Sequence, residues 1–455
     1  MSSQSSSLAR LVSHPTSRRS VLAGAALGTA GVVTASVLTA PVFLRHAAAA
    51  SEVTVWTSFT GDVELNAIKK IVDGFNQSQQ DAQAKVVQVP SQSESDVTKL
   101  MTAVRGGVGP DVYLFNRPFA SQRAADGVLQ DLTQYLKGED LSGKYLEFAF
   151  NECKFNDQLF ALPFDTDARA LFYRKDMLAE VGVDEAELDP AKGPITLDRL
   201  HAISSLMDKK DSNGSYTRIG FVPWFAQGWH YTWGYDFGGE FYSPEGCTVT
   251  ATNPGVVAGF TYMYEQAKAM GPKQVQEFMS SVNRPDAPPA QNPFYTGSLG
   301  FMISGDWELA SMATYAPNVK YGVTHIPVPK AGDKPSSWSA GFSVVMPQGA
   351  KNPEGAISYM KYMTGEEGQR IYTKDTSHLP TYKALLEDDS LFDASHDFFR
   401  QMLGYSRSLP TTPVGALLWD ELTTAQDKVK LNEATAEEAL QVVEDRVQSQ
   451  AQQYC

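Results

Sequence analysis

Apolar residues between positions 51 and 116 switch period four times, and this alternation constrains the fold more tightly than any other feature of the chain. Glu52-Val53-Thr54-Val55-Trp56 is a β-branched run that predicts a strand. Residues 63–75 follow with Leu65, Ile68, Val72 and Phe75 at helical spacing. Lys85-Val86-Val87-Gln88-Val89-Pro90 predicts a second strand, and 96–104 a second helix with Val97, Leu100, Met101 and Val104 on one face. After the turn at Gly109-Pro110, Asp111-Val112-Tyr113-Leu114-Phe115 predicts a third strand. Strand and helix in alternation with short turns describe βαβ units and a largely parallel sheet, so the predicted fold class is α/β. Ligands of such sheets collect at the carboxyl ends of the strands. That rule selects Phe59, Thr60 and Asp62 after the first strand, and Asn116 and Arg117 after the third.

The later sequence keeps the mixed character. Residues 299–303 and 319–326 predict strands. Residues 353–364 predict a helix with Ile357, Met360 and Met363 on one face, and 437–448 another with Leu440, Val443 and Val447. The segment 280–293, rich in Pro, Ala and Asn, predicts a loop.

Residues 1–50 have a different character. They carry Arg10, Arg18, Arg19 and Arg45 and no acidic residue. Arg18-Arg19 enters an uncharged run from 21 to 44 rich in Ala, Gly, Val and Thr, and Ala47-Ala48-Ala49-Ala50 suits an A-x-A cleavage site. The pattern resembles a twin-arginine (Tat) export signal, which makes the working chain extracytoplasmic, at the cell surface or in the periplasm. A retained membrane anchor is the other reading, since 24 uncharged residues are long enough to span a bilayer. Setting the leader's four arginines aside takes the formal net charge from −14 to −18. An acidic chain without a concentrated basic face is not built for nucleic acid. Three cysteines exclude a disulfide-built scaffold; in an oxidising compartment Cys153 and Cys247 can pair, which leaves Cys455.

Aromatic residues make up 11% of the 455 positions, yet ten fall between Phe221 and Tyr242, including Trp224, Trp229 and Trp233. Gly228, Gly234, Gly238 and Gly239 interrupt that stretch and predict a loop more than a core helix. About half of the ten rings are expected in the core, as large aromatics usually are.

Several stretches stand in a telling order: 53–62, Gly109-Pro110-Asp111-Val112, Leu162-Pro163 followed by Ala170-Leu171-Phe172-Tyr173-Arg174-Lys175-Asp176, Phe301-Met302-Ile303-Ser304-Gly305-Asp306-Trp307, and Ser339-Ala340-Gly341-Phe342 with Pro347 to Glu354. Together they resemble the motifs of one family, the extracellular solute-binding proteins of ABC transporters, family 1, with their maltose-binding-protein-like sugar-binding class. Arg174 departs from the family pattern, which has Asn there. The resemblance implies a periplasmic-binding-protein-like fold, two α/β lobes with a cleft and three hinge crossings. It places lobe 1 at 51–163 and 296–342, and lobe 2 at 168–295 and 343–455. Trp307 stands where the family's G-x-W tryptophan stacks on sugar, and Asp167 where an acidic residue accepts sugar hydroxyls, with Asp165 beside it on the first crossover. Trp229, Tyr231 and Trp233 match a segment that supplies ligand contacts from lobe 2, and Trp338 and Phe342 border the third crossing.

The implied function is that of an exported binding protein of an ABC importer, a monomer that carries a sugar or oligosaccharide to membrane permease subunits. It needs no cofactor, no metal and no catalysis. Polyamine or glycerophosphodiester capture is the alternative within the same class. A secreted glycoside hydrolase is the alternative outside it, since two carboxylates at roughly 5–10 Å suffice for that chemistry. The chain has no G-x-S-x-G elbow, H-E-x-x-H or P-loop.

Overall fold

The computed structural model of the chain describes residues 50–91, 95–284 and 287–454. The predicted export leader therefore lies, apart from Ala50, outside the described residues, as does Cys455. Among the described residues no helix is long and apolar enough to cross a membrane.

The opening alternation folds as its periods dictate. Strand β1 (Ser51–Thr57) runs parallel to β2 (Ala82–Gln88) along its whole length and to β3 (Val112–Asn116), with α1 (Asp62–Ser78) and α2 (Thr98–Arg105) as the crossovers. Helix α1 buries Ala67, Ile68, Ile71, Val72 and Phe75, one face of a 3.6-residue repeat. The Asp111 carboxylate of the Gly-Pro-Asp-Val motif receives the amide of Thr54 at 2.8 Å, and those of Lys351 and Asn352 at 2.8 and 2.9 Å. It thus ties the first strand to the loop before a distant helix.

Which sheet a later strand joins is a long-range choice, and here the structure corrects the expected lobe boundaries. Strand β4 is Ala161–Pro163, and β5 is Arg169–Arg174. Strands β6 (Phe301–Gly305) and β7 (Tyr321–Thr324) both pair antiparallel with β5, with Gly305 opposite Arg169, so they build the second sheet and not the first. Strand β8 (Phe342–Val345) pairs antiparallel with β3 and β4 and completes a five-stranded sheet of order β2-β1-β3-β8-β4. A strand's own period names its faces but not its neighbour. The helices Pro353–Thr364 and Glu366–Thr376 pack on α1, and Ala394–Met402 and Gly415–Lys430 pack on elements of the second lobe. The first lobe therefore takes 342–376, the second takes 301–324, and only the first sheet has a parallel core.

Three stretches cross between the lobes. The first, 163–169, contains the short strand Asp165–Thr166, which pairs antiparallel with Leu379–Pro380 of the third, a longer segment, 377–393, that leads from the helix Glu366–Thr376 on the first lobe to Ala394–Met402 on the second. The second runs from Ser337–Ser339 into β8. Gly341 turns this crossing with φ +127°, and a Cβ there would sit 2.5 Å from the Asp165 carbonyl oxygen and 2.9 Å from an Arg117 nitrogen. Only glycine fits both the backbone and the space.

The aromatic stretch is only partly the loop its glycines suggest. Residues His230–Asp236 form a helix between two irregular segments; Gly238 turns the chain after it at φ +76°, and Gly228, Gly234 and Gly239 serve close packing. A Cβ on Gly234 would meet the Phe241 ring at 2.2 Å, and one on Gly259 of the helix Pro254–Met270 would meet the Trp233 backbone at 2.6 Å. The expected pairing of Cys153 with Cys247 is also absent. Cys153 is a free thiol buried in the first lobe, whereas Cys247 is disulfide-bonded and lies at a turn of the second.

The interlobe cleft as candidate functional site

A cavity of about 360 Å³ opens between the lobes. The first lobe supplies the loop ends at the carboxyl edge of its sheet. Ser58, Phe59 and Thr60 follow β1, Asn116 ends β3, Phe342 starts β8, and Glu64 projects from the first turn of α1. Burial pushes the Glu64 carboxyl up from its ordinary pKa. The Phe59 and Phe342 rings meet edge-on, 4.6 Å apart.

The second lobe and the crossings supply rings. Trp229, Trp307, Trp338 and Trp419 line the cavity. Trp307 explains the glycine two residues before it: a Cβ on Gly305 would lie 2.0 Å from the indole, so the ring folds back over bare backbone. Arg169 lies between two of the rings, its guanidinium carbon 3.5 Å from the Trp338 ring centre and 5.2 Å from that of Trp307. It donates to the Asp167 carboxylate, to the Gln227 side-chain oxygen at 3.3 Å and to the Trp338 carbonyl at 3.2 Å. On the far side Trp307 stacks on His378, 5.4 Å between centres and 22° between planes. The Trp338 indole N–H donates to Thr232 Oγ1 at 2.7 Å, which fixes that ring's tilt. Trp229 and Trp419 meet edge-on at 4.7 Å.

Beneath the floor the crossings hold buried acids. Asp306 accepts the amide of Leu379 at 2.8 Å, and burial together with the neighbouring Asp167 holds its carboxyl well above the ordinary range. Burial pushes Asp165 up to about 8, and the charge of Asp167 adds to this against the amide of Phe342 and the charge of Arg117. Its Oδ2 lies 3.4 Å from His378 Nδ1, and burial lowers that imidazole to about 4. The contact is within ion-pair distance, but burial disfavours charge on both partners. We therefore read it as a neutral carboxylic acid facing a neutral imidazole.

Of the residues selected from sequence, Phe59, Thr60, Asn116, Asp167, Trp229, Trp307, Trp338 and Phe342 line the cavity. Asp62, Arg117, Asp165, Tyr231 and Trp233 do not. Asp62 begins α1 on the exposed surface. Arg117 is fully buried, pairs with Glu152 at 2.6 Å and donates to the carbonyls of Asp165 and Ala340, so it fastens the crossings from below. Asp165 accepts the amide of Phe342 and faces that same junction. Tyr231 and Trp233 point into the second-lobe core because the helix begins at His230; the Trp233 indole donates to the Pro223 carbonyl at 2.9 Å. Trp229 precedes that helix and is left at the cleft. Arg174 donates to the carbonyls of Phe294 and Tyr295 at 2.9 and 3.0 Å, a structural part far from the cleft lining.

Sequence reading missed Glu64, Arg169, Gln227, His378 and Trp419. Arg169 stands two residues after Asp167 on the same crossover, a signal that was available. Trp419 sits on a helix whose apolar pattern looks like any core face, and nothing local marks it.

A two-lobed α/β fold with a ring-lined cleft over three crossings has the architecture of the two-lobed solute-binding proteins. The sequence profile of the bacterial extracellular solute-binding proteins matches residues 61–370, and the chain belongs to that family. It is 24% identical over 402 residues to the galactooligosaccharide-binding protein of Bacillus subtilis, covering 86% of this chain and 87% of the relative. Among solved structures it resembles CpMnBP1 with mannobiose bound (TM-score 0.78, 22% identity, 87% of this chain and 99% of the other). It also resembles UgpB from Mycobacterium tuberculosis in complex with glycerophosphocholine (TM-score 0.68, 17% identity, 88% and 98%).

Proposed function

We propose that this chain captures a sugar or oligosaccharide in the cleft and delivers it to the permease subunits of an ABC importer. The observation that carries this reading is the pairing of indole faces with flat polar groups in one cavity. A pyranose presents apolar C–H faces and a belt of hydroxyls; indoles suit the faces, and guanidinium, carboxamide and carboxylate groups suit the belt. Phe59, Thr60, Asn116, Asp167, Trp229, Trp307, Trp338 and Phe342 are the proposed contacts, joined by Arg169, Gln227 and Trp419. The relatives named for galactooligosaccharide and mannobiose support the same class. Export through a Tat-type leader and a monomeric working state belong to this proposal. So does the absence of chemistry: the role requires only that closure favour the liganded state.

Glycerophosphodiester capture is the second reading, favoured by Arg169 in the cleft and by the UgpB likeness. Against it, Arg169 is already engaged by Asp167. Polyamine capture is weaker, because Asp167 is already paired with Arg169, and Arg169 adds a like charge to the cleft. Thermal-shift and calorimetric titration with mannobiose, maltotriose, galactobiose, glycerophosphocholine and spermidine separates these. Saccharide at a hundredfold excess over Kd should add about 2.7 kcal/mol of stability. Stabilisation by glycerophosphocholine or spermidine alone overturns the sugar assignment, and release of monosaccharide from a bound oligomer overturns the purely binding role.

A further inference from the structure

A second cavity of about 720 Å³ lies on the second lobe, outside the cleft, and it shares one wall with it: Trp229 lines both. Its other rings are Trp224 and Phe225, and its polar lining includes Gln276, Asn283 and Asn292. Among the described residues that line it there is no carboxylate, and its one ammonium, Lys430, is paired with Asp427 at 2.6 Å. The lining therefore repeats the cleft's pairing of rings with flat carboxamides but lacks the cleft's charges. A neutral, polyhydroxylated ligand suits it, whereas a cationic one finds no counter-charge.

The ridge between the two cavities is rigidly built. Ala226 takes a left-handed φ of +53°, a strained choice for a residue with a Cβ, and a Cβ on Gly228 would lie 1.9 Å from the Pro223 carbonyl oxygen. The Gln227 amide donates to the Ile303 carbonyl at 3.0 Å, and Thr232 Oγ1 donates to the Gln227 carbonyl at 2.6 Å. This tight turn sends Trp224 to the outer groove and Gln227 to the cleft, with Trp229 at the border of both.

We propose that the groove bounded by Trp224, Phe225, Trp229, Gln276, Asn283 and Asn292 is an outer saccharide subsite, which makes the preferred ligand an oligosaccharide long enough to leave the cleft across Trp229. This rests on the carbohydrate reading of the cleft. Because Trp224 lines the outer groove alone, the proposal keeps a disaccharide within the cleft and carries a longer chain over the shared indole to stack a further ring on Trp224.

The test is calorimetric titration of the wild type, Trp224→Ala, Trp224→Phe and Gln276→Ala with manno-, malto- and galacto-oligosaccharide ladders from disaccharide to hexasaccharide. The groove predicts that affinity rises with length in the wild type. Trp224→Ala should weaken the hexasaccharide at least tenfold and leave the disaccharide within twofold, Trp224→Phe should recover part of the loss, and Gln276→Ala should weaken only the longer members by a few-fold. Equal affinity at every length, an unchanged hexasaccharide in Trp224→Ala, or a loss of equal size for disaccharide and hexasaccharide overturns the outer subsite alone. A wild type that binds no member of any ladder overturns the carbohydrate reading itself, and the outer subsite with it.

Discussion

The two walls of the cleft are made by different means. The first-lobe wall is a set of strand ends, Ser58 to Thr60 and Asn116, whose polar groups sit where a parallel sheet's connections turn. The second-lobe wall is indole, and its rings come from four separate places in the chain: before a helix (Trp229), after an edge strand (Trp307), on a crossing (Trp338) and within a C-terminal helix (Trp419). The first wall follows from topology and the second from side-chain packing. The contrast puts the indoles on the second lobe and crossings, where Asp167, Arg169 and Gln227 add polar groups beside them, and puts strand-end polar groups with the Phe59 and Phe342 rings on the first, and each contribution can be broken separately.

The largest effect is expected where the walls are joined. Arg117 is fully buried, and Arg117→Met leaves Glu152, itself 2% exposed, without its counter-charge. Stranding one partner of a buried pair costs about 3–5 kcal/mol, which urea unfolding should register in full. A loss under about 1 kcal/mol would mean that the crossings are held by their strand pairing and not by the arginine.

Next come the rings. Trp307→Ala and Trp229→Ala should each weaken saccharide binding more than tenfold, about 1.5–3 kcal/mol for a buried aromatic contact. Trp233 is the internal control: it lies four residues from Trp229 but is buried in the core, so Trp233→Ala should cost about 3–5 kcal/mol of folding stability. If Trp229→Ala lowered stability as much as Trp233→Ala while sparing affinity, Trp229 would belong to the core and the ring wall would lose a member.

That pair of tryptophans also marks how far the sequence could be read. Strand periods and turns placed Phe59, Thr60 and Asn116 at the cleft without help, because a parallel sheet puts its strand ends there. Ring placement on the other wall depends on where a helix begins, and the glycines of 228–239 mark the irregular segments on either side but not the helix between them, where Gly234 permits close packing against Phe241. Arg117 looked like a free guanidinium at a strand end, since sequence does not reveal that Glu152 and two carbonyls enclose it. The swapped lobe boundaries have the same origin, because β6 (Phe301–Gly305) finds its partner far back in the chain, in β5 (Arg169–Arg174), and no local pattern names it.

A smaller, pH-linked effect probes the floor that both walls share. Asp165 holds its proton up to about pH 8 in the folded protein, whereas the unfolded chain releases it near 3.9. The folded state therefore binds the extra proton across that interval, and stability falls as pH rises through it. His378 acts in the opposite sense: folded it stays neutral down to about 4, so its contribution is complete above about 6.5 and is lost as pH falls toward 4. The two oppose each other below about pH 6.5; from there to 8 Asp165 contributes at most about 1.4 kcal/mol per pH unit, in the same direction as the buried carboxyls of Asp306 and Asp236, which are also raised. Asp165→Asn keeps an oxygen for the Phe342 amide and mimics the neutral acid. It should flatten the urea-unfolding profile between pH 6.5 and 8, and a slope unchanged from the wild type would assign that proton to another group.

The smallest effect is expected on the polar wall. Thr60 is exposed at the cavity rim, so its hydroxyl exchanges water for ligand and Thr60→Ala should cost about 0.5–1.5 kcal/mol of affinity, the net worth of one neutral hydrogen bond. The ratio to Trp307→Ala matters more than either value. Stacking on the second lobe predicts that the ring variant loses several-fold more affinity than the hydroxyl variant, measured with the same saccharide by calorimetry. If Thr60→Ala lost as much as Trp307→Ala, the strand ends would carry recognition, and the indoles would serve mainly to exclude water.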